Sequence, residues 1–264
     1  MGALLDSAPV LWYEADTITD LVGSTVVSWD VTAGNPVTLN APNGHVSLDE
    51  ASTPSGLPSV RLDGSGVLNQ PTATANTDIV TYAAVFKVTG DATTSRTLVG
   101  DSAVAGGGLQ WKIRGTGQSD PNKQQLNKQL VSNYVMSSTA LVNDEWVVVI
   151  AEFSSQSSAS FTRDGVADGS AASSTDLTAG SGHLMQIGRA GGSGEWFTGS
   201  IAALVRWNRV LTSQEKAAVT AELTAKWITG ITTNTHAGAD TPSAVYVGAD
   251  LVDAIYVGSD KVWG

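Results

Sequence analysis

The sequence has no cysteine, which removes disulfide frameworks and thiolate metal sites in one step. Histidine is almost as scarce. His45, His183 and His236 stand far apart, so a histidine-rich metal site is not expected and each reads as a loop or surface residue. Lysine and arginine number 14 against 25 aspartates and glutamates, a net charge of −11. Gripping nucleic acid through its phosphates takes a surface rich in Lys and Arg, so no nucleic-acid partner is expected. Long apolar runs are absent too. Stretches such as Trp146–Ala151 fall far short of the roughly 20 apolar residues that span a bilayer, and membrane insertion is not expected. The opening MGALLDSAPV has neither the basic region nor the long apolar region of a secretory signal, so synthesis without a signal peptide is expected.

What is present describes a globular β protein. A chain of 264 residues that is 42% hydrophobic can bury a sizeable core. Gly, Ser and Thr clusters punctuate it at short intervals, among them Gly34-Asn35-Pro36, Asp63-Gly64-Ser65-Gly66, Gly106-Gly107-Gly108 and Gly191-Gly192-Ser193-Gly194. Between them lie β-rich runs, the pattern of a sandwich or barrel. Residues 79–88 and 146–153 read as buried central strands. In 109–114 the residues alternate, with Leu109, Trp111 and Ile113 on one face and Gln110, Lys112 and Arg114 on the other. Residues 160–169 read as a hairpin turning on Asp164-Gly165, and 185–189 and 199–207 continue the β rhythm.

One segment breaks that rhythm. Thr212-Ser213-Gln214-Glu215 is a capping box, in which hydroxyl and carboxylate satisfy orphan N–H groups reciprocally. Val219, Leu223 and Trp227 follow at helical spacing, Glu222 stands four before Lys226, and Gly230 is a stop signal. One amphipathic helix is expected over 212–228. A Thr-, Gly- and Asn-rich linker follows at 229–243. The chain closes on VYVGADLVDA and IYVGSDKVWG, one decapeptide written twice. Gly-Ala-Asp and Gly-Ser-Asp read as turns between short strands, making two miniature hairpins. An isolated hairpin is marginal in water, so Tyr246, Val247, Tyr256, Val257, Val262 and Trp263 are expected to dock on another chain or on copies of this one. Packing back on the body is the alternative.

Two stretches together resemble a known family. Near the start stand Leu11-Trp12-Tyr13-Glu14-Ala15-Asp16 and Pro58-Ser59-Val60-Arg61-Leu62-Asp63-Gly64. Near the end stand Gly199-Ser200-Ile201-Ala202-Ala203, Asn208-Arg209-Val210-Leu211-Thr212 and Leu223-Thr224-Ala225-Lys226-Trp227. In this order, over about 8–228, they resemble the laminin-G-like, concanavalin A-like lectin/glucanase jelly-roll family. The resemblance implies an all-β fold, a two-sheet antiparallel jelly-roll sandwich. Its first and last strands should pair, and the short helix should cover an open end. The division expected is a jelly-roll domain at 1–228, the linker, and a β-hairpin tail at 244–264. A jelly roll followed by such closing repeats also resembles minor tail proteins of bacteriophages that infect actinobacteria.

The family includes glucanases, whose E-x-D-x-x-E strand sets two carboxylates on one face of a glycosidic bond. Here Glu14-Ala15-Asp16-Thr17-Ile18-Thr19 lacks the second glutamate. Glu14 and Asp16 therefore read as solvent-facing or turn residues, and no enzyme activity is expected. Gly106-Gly107-Gly108 has no following Lys-Ser/Thr and is a loop, not a phosphate cradle. Many relatives bind Ca2+ through loop oxygens. Asp30 and Asn35 occupy the matching loop, although Val31 stands in its middle; ordinary Asx turns are the alternative, and no other cofactor is expected.

Sugar binding needs aromatic platforms with polar groups nearby. Trp111, Trp146, Trp207 and Trp227 occupy strand or helix positions with a buried face. Trp196 is the exposed candidate, with Glu195 beside it, and Tyr134 is the second; a packing role is the alternative for each. Residues 115–128, GTGQSDPNKQQLNK, read as a mobile loop suited to recognition. The function expected is a non-catalytic virion structural protein made in the host cytoplasm, in the tail rather than the capsid. Its expected partners are other virion proteins, copies of itself and a host cell-surface glycan. A secreted carbohydrate-binding module or glycoside-active enzyme, or a capsid decoration or head-fibre protein, are the alternatives.

Overall fold

The computed structural model describes residues 7–34, 37–71, 79–102, 109–128, 134–155, 158–172, 184–189 and 194–230, with short strands at 246–247, 250–251, 255–257 and 260–263. Of the expected linker, Thr229 and Gly230 close the helix and 231–243 fall outside the described residues.

Three apolar strands form the middle of the larger sheet: Val80–Val88, flanked by Val147–Ser155 on one side and Thr198–Trp207 on the other, all antiparallel. Their sequences, VTYAAVFKV, VVVIAEFSS and TGSIAALVRW, run apolar without alternation. A strand that alternates cleanly has one wet face; one that does not is covered on both. Here the inner cover is a second sheet and the outer cover is the helix.

Among the described residues the larger sheet has 11 strands and the smaller one 8, packed as a jelly-roll sandwich. Leu11–Glu14, the first strand, pairs with Thr198–Trp207, as the order of motifs requires. Between the sheets Trp111 of the smaller one meets Phe86 edge-on at 5.6 Å and Phe161 at 6.5 Å, both from the larger one. The Trp111 indole N–H donates to Gln124 Oε1 at 3.1 Å inside the core, which satisfies the one polar atom this ring carries there. At the other end Trp29 packs on Tyr13 with ring centroids 5.7 Å apart and donates to the Glu14 carbonyl at 2.9 Å. Burial pushes the Tyr13 phenol well above its ordinary range. The hairpin at Asp164-Gly165 forms as the sequence implies, both residues at positive φ of 49° and 82°.

The edges of the two sheets meet where Val166–Ala172 lies against Tyr134–Ala140. Thr139 donates from both its backbone N–H and its hydroxyl to Asp168 Oδ1. A Cβ on Gly169 would lie 2.6 Å from the Met136 carbonyl oxygen, so only glycine lets the two edges approach this closely. Two exposed edges thereby protect each other.

The segment 115–128 is not a mobile loop. Lys123–Lys128 is an interior strand of the smaller sheet, with Tyr134–Ala140 beyond it. Gln124 and Leu126 point into the core while Gln125 and Asn127 point out, so glutamines hide a strand that an apolar pattern would have revealed. Residues 115–118 are tied down by bonds from Thr116 N–H to the Ala92 carbonyl (2.7 Å) and from Gly117 N–H to Thr93 (3.0 Å).

The helix spans Ser213–Thr224 and ends in a single π turn, Ala225–Thr229, with Gly230 in the left-handed region at φ 74°. The capping box is complete: the Glu215 N–H donates to Thr212 Oγ1, and the Thr212 N–H donates to Glu215 Oε2. Arg209 forks the same carboxylate at 2.5 and 2.9 Å. The helix does not cover an open end of the sandwich. It lies on the outer face of the larger sheet and buries Val219, Leu223 and Trp227 there. The reason is the apolar outer surface of the central strands, where Val85 stands between Val148 and Ala203, and Ala83 between Ile150 and Val205.

Ion pairs fix the helix at both ends. Lys216 meets Glu152 at 3.0 Å, and Lys226 meets Glu14 at 2.8 Å and Asp16 at 2.9 Å. Glu14 is therefore not solvent-facing: it is 4% exposed beneath Lys226, while Asp16 sits in a short 3-10 turn, Ala15–Thr17. Lys226 reaches across the fold to the first strand, 212 residues away in sequence. Burial pushes the Glu14 carboxyl above the ordinary carboxylate range against the pull of Lys226. Burial opposes the Lys226 charge, but Glu14 and Asp16 hold its pKa above the ordinary value.

Each repeat of the closing tail is a two-stranded antiparallel sheet. Tyr246–Val247 pairs with Asp250–Leu251, and Ile255–Val257 pairs with Asp260–Trp263. These are two separate hairpins, not one small sheet.

Two outcomes follow from these ion pairs. Lys226→Met leaves Glu14 buried without its cation and should lower stability by about 2–4 kcal/mol near neutral pH in urea unfolding. The deficit should shrink as pH falls and Glu14, whose pKa is already raised, takes up a proton; adding Glu14→Gln should recover most of it. Glu215 behaves in the opposite way. The Arg209 guanidinium and the Thr212 N–H hold its carboxyl down to about 2. The stability it contributes is complete above its ordinary pKa of 4.5 and is lost as pH falls toward 2. Thermal melts across that interval should show wild type losing more stability than Glu215→Gln.

Candidate functional site

The smaller sheet turns its inner face to the core and its outer face away from it, and the outer face is polar. Strand pairing puts one residue from each of its eight strands in a single row. The row runs Ser28, Asn40, Asn69, Gln186, Gly100, Gln110, Asn127, Tyr134. At the usual spacing between strands it is about 34 Å long. Five of the eight are amides, and an amide both donates and accepts, as a sugar hydroxyl does. Neighbours in the row bond to one another. Gln186 Nε2–H donates to Asn69 Oδ1 at 2.8 Å, and Asn127 Nδ2–H donates to Gln110 Oε1 at 3.4 Å. Asn40 is exposed and Asn69 and Gln186 are half-buried, whereas Gln110 and Asn127 are buried.

A second row, Thr97, Lys112, Gln125 and Met136, runs beside the first. Arg114 extends this polar surface, donating to Gln125 Oε1 at 3.0 Å and to the Ser119 carbonyl at 2.8 Å. The polar face of 109–114 is thus largely covered, and its charges are satisfied by neighbours.

Glu195 and Trp196 come to this face because the chain around them is pinned. The Gly188 N–H donates to the Leu98 carbonyl, the Phe197 N–H to Gly188, and the Thr97 N–H to Glu195. Phe197 then drops into the core against Phe86. Glu195 consequently meets Lys112 at 2.6 Å, which ties the loop to the second row. Trp196 stays half-buried, and the Arg189 guanidinium lies over its ring, 4.5 Å from the centroid. Of the three residues proposed for ligand contact, the structure brings Glu195 and Trp196 together and sets Tyr134 at the far end of the first row. Asn40, Asn69, Gln110, Asn127 and Gln186 were not singled out for binding by sequence. Gln110 stood on the right face, but only register joins it to the others.

The proposed metal loop is half described. Asp30 Oδ1 accepts from the Thr38 hydroxyl at 2.5 Å, which closes a polar turn; Asn35 lies outside the described residues. Among the described residues no three His, Asp or Glu side chains gather as a metal site. One cluster has the composition of a hydrolytic triad. His45 Nδ1 is 3.0 Å from Asp63 Oδ2, and the Ser65 hydroxyl donates to Asp63 Oδ1 at 2.6 Å. The aspartate stands between serine and histidine, whereas activating a serine requires the histidine in the middle. Those two bonds hold the Asp63 carboxyl below its ordinary range.

Comparison with known proteins agrees with this architecture. The sequence model of the concanavalin A-like lectin/glucanases superfamily (Laminin_G_3) matches residues 62–215. Domain 4 of AbnA, a GH43 extracellular arabinanase from Geobacillus stearothermophilus solved in complex with arabinotriose, superposes with a TM-score of 0.58. The two are 13% identical over 80% of this chain and 98% of that domain. A sialidase from Trypanosoma rangeli gives a TM-score of 0.58 at 12% identity, over 82% of this chain and 33% of the enzyme. The binding domain of botulinum neurotoxin serotype G gives 0.56 at 11% identity, over 82% of this chain and 51% of that one. At these identities the likeness is one of fold. No curated protein matches the chain. With more than half its length matched by the family and both sheets in place, the chain belongs to the concanavalin A-like lectin/glucanase superfamily.

Proposed function

We propose that this chain is a non-catalytic, lectin-like structural protein of a virion. In this reading it binds a glycan of the host cell surface through the outer face of its smaller sheet. The observation that carries the binding part is the amide row on the sheet face to which Glu195, the neighbour of Trp196, is tied through Lys112. Side chains that both donate and accept, of which Asn40, Asn69 and Gln186 keep exposed surface, together with a half-buried indole are the chemistry of a sugar site: hydroxyls exchange with the amides while the apolar face of a ring stacks on the aromatic. Catalysis has no comparable support. Glu14 is committed to Lys226, and the Ser65, Asp63 and His45 set is in the wrong order. The proposed binding mode uses side chains alone and no metal, so chelation should leave it unchanged.

The place in the virion rests on the closing repeats, which resemble those of actinobacteriophage minor tail proteins. In our reading each hairpin docks through Tyr246, Val247, Tyr256, Val257, Val262 and Trp263 on another tail protein or on a second copy. Two-stranded sheets need such a partner to be stable. The tail is the preferred position over a capsid decoration.

Two measurements test the reading. On an array of bacterial and plant glycans the full chain should bind a defined subset. Trp196→Ala should weaken that binding at least about tenfold, equivalent to about 1.4 kcal/mol, with the melting temperature unchanged. Undiminished binding by Trp196→Ala would move the site elsewhere. Separately, a chain lacking 244–264 should keep its fold but fail to enter particles, with antibody label on intact virions falling at the tail. Label on the capsid, or a chain found only in culture medium, would instead favour a decoration protein or a secreted carbohydrate-binding module.

A further inference from the structure

Arg189 is unusual among the basic residues near this face. Lys112 has Glu195, and Arg114 has Gln125 and Ser119. Arg189, in contrast, makes no ion pair or hydrogen bond with the described residues. Its Nε is shut off from solvent and donates to nothing, and its one contact of note is the face of Trp196. A closed-off charged donor is costly to leave unpaired, and this in a chain whose 25 carboxylates outnumber its 14 lysines and arginines. The nearby carboxylate, that of Glu195, is taken by Lys112.

From this we infer that Arg189 is an anion receptor within the proposed glycan site, so that the sugar held at Trp196 carries an oxyanion, a carboxylate or a phosphate. The inference rests on the glycan-binding reading and adds the ligand's charge to it. A guanidinium presents its N–H groups in a planar fork that matches either oxyanion. Stacked on an indole, the fork is held in orientation before the ligand arrives. The ligand's anion would face the fork, its ring would lie beside Trp196, and its hydroxyls would meet Gln186 and the row beyond. Gln186 belongs to the strand Leu184–Ile187, and Arg189 follows two residues after that strand ends. Lys112 cannot serve in this way while it holds Glu195. Disrupting that pair would free a second cation and blur the discrimination the single fork provides.

The test uses the full chain and three sugars of the same ring: glucuronate, glucose 6-phosphate and methyl glucoside. The probe is the indole N–H resonance of Trp196, assigned by its loss in Trp196→Phe. At least one anionic sugar should shift the resonance at a concentration tenfold or more below that of methyl glucoside, and raising the salt should narrow the gap. Whichever anion leads identifies the oxyanion. Arg189→Gln should abolish the preference while leaving the response to methyl glucoside, and Arg189→Lys should retain part of it, with melting temperatures confirming that both variants fold. Equal response to charged and neutral sugars, or a preference that survives Arg189→Gln, overturns the inference and leaves glycan binding standing. No response to any of the three, nor to the glycans bound on the array, overturns both.

Discussion

Everything in this molecule is arranged around three strands that must be buried twice. Val80–Val88, Val147–Ser155 and Thr198–Trp207 are apolar on both faces, and a sheet of that kind is stable only as the middle layer of three. The smaller sheet supplies one cover with Trp111 and its partners. The helix supplies the other with Val219, Leu223 and Trp227. Once both covers are spent, the outer side of the smaller sheet is left to polar residues, several of them buried against one another. The location of the candidate site is therefore a consequence of where the hydrophobic surface had to go.

The same constraint explains which parts of the fold could be read directly. The capping box at Thr212, the turn at Asp164-Gly165 and the alternation at 109–114 are local patterns, and each appears where the sequence puts it. The helix's position was not local. Nothing near residue 219 says that the helix will lie on the outer face of Val147–Ser155 rather than across an end, although the unbroken apolar runs of the central strands implied a second cover. Lys226 is the sharpest case. Its spacing from Glu222 suggested a pair along the helix, but the fold turned it to Glu14 and Asp16 at the other end of the domain. The family motifs that contain these residues look independent in sequence and touch in space.

The candidate site was legible only in part, for a related reason. Glu195 and Trp196 stood out because glycines isolate them before a buried phenylalanine. The amide row did not, because a row across a sheet draws one residue from each strand and leaves no periodic trace. Strand 123–128 was hidden by its own glutamines, since Gln124 lies in the core to meet the Trp111 indole. Residues that serve a sheet face by register are the hardest to find in one sequence, and here they make up most of the surface proposed to bind.

The ionic clasp of Lys226 on Glu14 and Asp16 has a mechanical meaning as well. Lys226 lies four residues before Gly230, where the helix ends, and it fastens that end to the first strand. A pull transmitted along the chain from beyond Gly230 enters the domain at this point. It meets two carboxylates on one ammonium before it can peel the helix from the sheet or expose the apolar strands beneath. Any load that holds one sheet face while pulling on the chain beyond Gly230 would pass through this clasp, with no disulfide to share the strain.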